Sequence, residues 1–182
     1  MKITKVDNSD LLIISPQIFE DDRGYFFESF NQNKFENLSK QKFVSVQDNE
    51  SRSIKGTLRG FHYQLSPFTQ TKLIRVIEGE VLDVVVDIRK ASKNFGKHWA
   101  FKISSKNKKQ LLVPRGYAHA FLTLSEFAIF SYKVDNYFSP NYERTIIWND
   151  NNLNVDWGID ESEILISEKD KKGLKFIDSE YL

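Results

Sequence analysis

No cysteine occurs among the 182 residues. Disulfides, thiolate catalysis and any zinc site needing sulfur ligands are thereby excluded. An excess of one charge is missing too: 26 basic residues stand against 25 acidic ones, a formal net charge of +1. Such a chain has no general field for nucleic acid or an anionic membrane, so no partner of either kind is expected. An anionic ligand must instead be gripped by locally placed Arg and Lys. Long apolar runs are absent as well, the longest falling far below a membrane span. The opening Met1-Lys2-Ile3-Thr4-Lys5 carries no apolar signal-peptide core, which makes a cytoplasmic location the default expectation.

What is plentiful is aromatic. Phe, Trp and Tyr reach 14%, with 15 Phe, and such side chains favour the pleated surface of β-sheets. The length suits one domain over residues 1–182 with one sizeable core. Short apolar runs divided by turn residues predict strands near 11–14, 25–30, 43–47, 57–64, 72–78, 80–88, 98–103, 110–113, 118–124, 127–135 and 144–148. Many short strands at close spacing indicate an all-β sandwich or barrel, and a double-sheet jelly roll fits best. Glu78-Gly79, between two β-branched runs, predicts a tight hairpin. Asp21-Asp22-Arg23-Gly24 predicts a Gly-ended turn before the aromatic strand. The polar stretch 31–42, with Phe35 and Leu38 three apart, predicts a short helix, and 160–173 a helical turn or ordered loop.

Only three His occur: His62, His98 and His119. In Leu58-Arg59-Gly60-Phe61-His62-Tyr63-Gln64, strict alternation puts Leu58, Gly60, His62 and Gln64 on one face and Arg59, Phe61 and Tyr63 on the other. Gly60 is the place where a bulge or close backbone approach would re-aim Arg59 toward His62. Arg and His together inside a barrel suit anion binding with proton transfer. His119 ends Pro114-Arg115-Gly116-Tyr117-Ala118-His119, a Pro-x-Gly-x-x-His turn that resembles the second cupin motif. In metal-binding cupins that His joins two more His and a Glu from an earlier strand. The matching region here, Ile77 to Ile88, has no His, so a His-rich metal site cannot be built and none is expected. His119 then reads as a polar ligand contact or the partner of one, and His98, at a turn, as a surface residue. Lys72 would stabilise negative charge on oxygen if turned inward, although its strand alone reads it as a solvent-facing end. Tyr132 alone reads as a core Tyr with a satisfied hydroxyl, and Ser167-Glu168-Lys169-Asp170 as a capped helix start.

Together these segments resemble the dTDP-4-dehydrorhamnose 3,5-epimerases. The likeness is carried by Phe19 to Phe30 (FEDDRGYFFESF), Gln47-Asp48-Asn49-Glu50-Ser51, Lys55 to Gln64 (KGTLRGFHYQ), Lys72-Leu73-Ile74-Arg75-Val76, Gly79 to Asp87, Pro114-x-Gly116-x-x-His119, Trp148-Asn149-Asp150 and Ser167-Glu168-Lys169-Asp170. It runs in the same order from about residue 10 to 171. The resemblance implies a cupin-type jelly roll with short peripheral helices, acting as a homodimer whose N-terminal strands add to the partner's sheet. It implies a nucleotide diphosphate sugar as substrate, with His62 as general base oriented by Asp170, Tyr132 as general acid on the opposite sugar face, and Lys72 stabilising the enolate. Arg23, Arg59 and His119 resemble sugar and diphosphate contacts. Glu28, Gln47, Asn49, Glu143 and Lys169 match further ligand contacts, and Phe138 stands where the family often has a Tyr stacked on the nucleobase. No cofactor is implied, because the substrate's own carbonyl is the electron sink. Phe138, Arg115, Ala120 and Thr71 depart from the commoner residues. Epimerases of one carbon only, or of other nucleotide 4-keto sugars, share the same trio; a non-catalytic sugar-binding cupin would lack His62, Tyr132 or Asp170.

Overall fold

A computed structural model describes residues 1–182. In chain order it forms β1 (Lys2–Lys5), β2 (Leu12–Ser15), β3 (Ile18–Asp21), β4 (Gly24–Phe27), helix α1 (Gln32–Ser39), β5 (Gln47–Ile54), β6 (Thr57–Gln64) and β7 (Lys72–Glu78). There follow β8 (Glu80–Asp87), β9 (His98–Ser104), β10 (Gln110–Val113), β11 (Tyr117–Thr123), β12 (Phe127–Val134), β13 (Glu143–Thr145), β14 (Leu165–Ile166) and helix α2 (Glu168–Lys171). The first sheet has the order β1-β2-β10-β7-β12-β5. The second has the order β13-β6-β11-β8-β9, with β14 parallel to β6. A separate hairpin, β3–β4, stands apart from both. The architecture is an all-β, cupin-type double-sheet jelly roll.

Three apolar clusters explain why some strands read as unbroken hydrophobic runs. Between the sheets lie Ile74, Val76 and Phe130 from the first and Val81, Val85 and Phe121 from the second. The back of the second sheet presents Leu58, Phe61, Val84, Val86, Ala118, Ala120 and Leu122 to Trp157 and Phe176 of the C-terminal segment. The back of the first presents Leu12, Leu73 and Leu112 to Phe35 of α1 and to Phe43. A strand covered on both faces has no polar side to display, and β11 is buried at every position. The C-terminal tail is therefore a structural layer over β6, β8 and β11.

Two expectations need correction. The strand expected over 43–47 starts instead at Gln47 and runs to Ile54, while Phe43 is buried outside it. Its sequence, QDNESRSI, is polar because one side lines a cavity with polar walls, so an apolar pattern cannot mark it. Glu78-Gly79 is not a hairpin: β7 pairs with β10 and β12, β8 with β9 and β11. The tight turn is real, with Gly79 at φ +81, but it carries the chain from one sheet to the other. A local turn signal cannot tell whether its flanking strands pair or part. The helix expected over 31–42 is Gln32–Ser39, capped by the Asn31 side chain, with Phe35 buried and Leu38 exposed. Strands β1 and β3 were not marked by the sequence pattern, and the expected 25–30 strand is the shorter β4.

Candidate active site

The site begins with one extra residue in β6. Opposite β11, Arg59 pairs with Phe121 and His62 with His119, so three steps along β6 match two along β11. This bulge falls at Gly60 (φ +124), whose Cα packs so closely on β11 that a Cβ would meet Ala120 Cβ at 2.5 Å. One inserted residue inverts the phase of all that follows. Leu58 therefore joins Phe61 and Tyr63 on the apolar back, whereas Arg59, His62 and Gln64 line the inner cavity. Strict alternation, which grouped Leu58 with His62, is overturned by the bulge.

The cavity, about 330 Å³, is lined from the second sheet by Arg59, His62, Gln64 and His119, and from the first by Asn49, Lys72, Phe130 and Tyr132, with Phe138 and Glu143 at its mouth. His62 on β6 thus faces Tyr132 on β12 across the gap between the sheets. His62 Nε2 lies 2.6 Å from Asp170 Oδ1, and Gly60 N–H points at Oδ2 from 3.5 Å. Asp170 is buried on the short helix α2, whose N-cap Ser167 accepts the Asp170 N–H. The capping motif expected from sequence and the His partner are the same feature. Burial pushes the Asp170 carboxyl up, but the hydrogen bond and charge of His62, with Gly60 and Ser167, outweigh it and hold it below the ordinary carboxylate value. An ionised carboxylate can only accept, so a neutral His62 ring has its proton on Nε2 and presents Nδ1 as the acceptor.

Burial raises the Tyr132 phenol above its ordinary value, assisted by the nearby Glu143 charge and opposed by Arg59, so it stays protonated. Lys72 is buried, with one hydrogen bond, 3.4 Å to the His62 carbonyl. Desolvation brings its ammonium down to about 8, against the pull of Asp83 and Glu143. His119 Nε2 lies 2.8 Å from Asp83 Oδ2. Burial lowers the His119 value, and the Asp83 charge and hydrogen bond only partly offset this. Arg59 Nε donates to Ser53 Oγ at 3.1 Å. Phe121 and Phe130 stack beneath, 4.1 Å between centroids.

At the mouth, Gln47 holds two ligand candidates, donating to Asn49 Oδ1 at 2.8 Å and accepting the Phe138 N–H at 3.0 Å. Gln64 accepts the Ser139 N–H at 2.6 Å, pinning the same loop. Glu143 and Lys169 form an ion pair at 2.5 Å. Arg23 and Glu28 are elsewhere. Arg23, with 89% of its side chain exposed, tips the β3–β4 hairpin and pairs with Asp21, while Glu28 pairs with Lys34. His98 lies on β9, away from the cavity lining. Asp83, Ser53 and the Phe121–Phe130 stack were not singled out from sequence. For Asp83 the signal was present: a lone acid in the apolar run Val81 to Val86.

No group of three or more His, Asp or Glu side chains is arranged to hold a metal ion. A larger, more open hollow between 5–10 and 89–94 contains no His or Tyr, and its Arg89 is already committed to Asp87 and Asp10. No helix is long and apolar enough to cross a membrane.

A model of the dTDP-4-dehydrorhamnose 3,5-epimerase family matches residues 5–178. The enzyme of that name from Shigella flexneri is 48% identical, the match covering 100% of this chain and 99% of that protein. The crystal structure of the Elizabethkingia anophelis NUHP1 epimerase superposes with a TM-score of 0.94 at 46% identity, covering 100% and 99% of the two chains. The Legionella pneumophila dTDP-6-deoxy-D-glucose-3,5-epimerase, solved in complex with dTDP-4-keto-L-rhamnose, gives 0.93 at 42% identity over 98% and 94%. With the matched fold enclosing a His–Asp pair and a Tyr across one cavity, this chain belongs to the dTDP-4-dehydrorhamnose 3,5-epimerase family.

Proposed function

We propose that this protein epimerises a nucleotide-linked 4-keto-6-deoxy sugar, converting dTDP-4-dehydro-6-deoxy-D-glucose to dTDP-4-dehydro-L-rhamnose by proton removal and return. The observation that carries this is the placement of His62 and Tyr132 on opposite sheets of one cavity that also buries Lys72. Hydrogens beside a ketone are weakly acidic, and removing one leaves an enolate with its charge on oxygen. His62, with Nδ1 free, takes the proton. The Lys72 ammonium stabilises the oxygen in a poorly hydrated site, where such a donor contributes about 3–4 kcal/mol. Tyr132, kept protonated, delivers a proton from the other face, and the carbon is inverted. The reaction is redox-neutral and draws on no cofactor.

Binding energy remote from the reacting carbon holds it in line. Arg59 and His119 are suited to the sugar and diphosphate. Gln47, Asn49, Glu143 and Lys169 surround the mouth, and Phe138 offers a ring face to the base. Arg23 and Glu28 lie on or next to a projecting hairpin whose Phe19, Tyr25 and Phe26 are 56%, 55% and 70% exposed. That apolar display supports a homodimer in which the hairpin lies on a second copy and brings Arg23 and Glu28 to its cavity. The reading keeps the reaction in one jelly-roll domain, in the cytoplasm.

Deuterium wash-in tests the activity. Incubated in heavy water with the 4-keto sugar nucleotide, the enzyme labels C3 and C5 of the recovered sugar. Label at one carbon would make it a mono-epimerase, and label at neither would defeat the proposal.

A further inference from the structure

Resting on the epimerase reading, we propose that Asp83 is a positioning residue for the reaction: from behind the cavity it holds His119 by Nε2 and places negative charge beside the Lys72 ammonium.

Asp83 lies on the inner face of β8 between Val81 and Val85, both core residues, and is fully buried. A carboxylate in that setting is strongly disfavoured unless it serves a partner. One oxygen, Oδ2, meets His119 Nε2 at 2.8 Å, while the other, Oδ1, is buried without a hydrogen-bond partner. A residue kept only for packing would be another Val, as its neighbours are. The one hydrogen-bond partner that offsets the cost of this buried carboxylate is His119.

Two consequences follow. The carboxylate accepts from Nε2–H, so a neutral His119 is left with Nδ1 as its acceptor, the form that receives a hydrogen bond from a sugar hydroxyl. Lys72 has a single weak hydrogen bond of its own, at 3.4 Å. The groups around it are Tyr132 from β12, Arg59 and His62 from β6, His119 from β11, Asp83 from β8 and Glu143 from β13, with Glu50 at the rim on β5. The adjoining β10 has no titratable residue. Of the acids, Glu143 shares its charge with Lys169 at 2.5 Å. Asp83 contributes the larger upward pull on Lys72.

The test is Asp83→Asn, which preserves shape and removes charge. Lysine-selective NMR titration of the free protein, with Lys72 assigned by Lys72→Met, reads the ammonium directly. Its midpoint is expected to fall by about one pH unit, and the alkaline limb of kcat/KM to move down by the same amount. Above the wild-type midpoint kcat/KM is then about tenfold below wild type, recovering as pH is lowered. An unchanged Lys72 midpoint, or a loss of kcat/KM equal at every pH, would overturn the proposal. If the variant does not fold, nitrogen-15 spectra of wild-type His119 decide: Nε2 protonated with Nδ1 bare is required, and the reverse tautomer overturns it. Wild type failing to turn over the 4-keto sugar while the NMR results hold would implicate the epimerase reading, not the role of Asp83.

Discussion

His62 and Asp170 are 108 residues apart in sequence, yet Nε2 and Oδ1 lie 2.6 Å apart. The two are joined by β14, which runs parallel to β6 and delivers the chain into α2 directly behind the imidazole. Asp170→Asn keeps the shape of this contact but allows the amide to donate, so the imidazole can present the wrong nitrogen to the cavity. A fall in kcat on the order of 10²–10⁴ is expected, with KM little changed, by analogy with the equivalent change in a Ser-His-Asp triad. Steady-state kinetics check this; a mere twofold loss would remove Asp170 from the task of orienting His62.

Tyr132→Phe separates the two halves of the reaction. The base is intact, so substrate recovered from heavy water still acquires deuterium. The donor on the other face is gone, so inverted product falls by about 10²-fold or more. Proton NMR of the sugar reports both. Inversion at the wild-type rate would mean that another group donates the proton.

How much of this was legible in advance depends on what each residue answers to. Strands β6, β7 and β10 were read at their true bounds because apolar packing dictates their sequences. Strand β5 was not, because Asn49, Ser51 and Ser53 answer to the cavity and to Arg59. Local pattern alone left Lys72, Tyr132 and Asp170 as a strand end, a core ring and a helix cap. Each became a site candidate only through the family resemblance, since what unites them is the meeting of two sheets. The bulge at Gly60 was suspected from one glycine, but which neighbours it regrouped required the register with β11.

Lys72 is expected to set the alkaline edge of activity. Burial brings its ammonium to about 8, so it is charged below that pH and lost above it. The kcat/KM of the wild type should decline above about pH 8, with one proton released. Lys72→Met should lower kcat on the order of 10²–10³ at neutral pH and abolish that limb of kcat/KM. A variant retaining the same alkaline decline would assign the limb to another group.

Gly60→Ala tests the bulge. The new methyl would meet Ala120 Cβ and the His119 carbonyl oxygen, each at 2.5 Å, in a backbone conformation of φ +124 that side chains rarely adopt. Backbone strain alone costs about 1–3 kcal/mol. The expected outcome is a lower unfolding midpoint in urea together with a large loss of kcat, because relief of the clash moves Arg59 and His62 relative to each other. A variant with full stability and rate would show that the close approach of β6 and β11 is dispensable.

Arg23 provides the test of assembly. If the hairpin serves its own cavity, mixing His62→Ala protein with Arg23→Ala protein cannot restore activity, since every cavity lacks one group. If it serves a second copy, the mixed dimer contains one complete cavity, built from the intact His62 of one subunit and the intact Arg23 of the other. Loss of a charged contact of this kind costs about 1.5–3 kcal/mol, enough to make the Arg23→Ala parent clearly slow. After co-refolding in equal amounts, random pairing places roughly one site in four in the complete state. Recovery to about that fraction of wild-type rate is expected, with the parents assayed alone as the baseline. Failure to recover, in a sample shown by light scattering to be dimeric, would return the hairpin to its own chain.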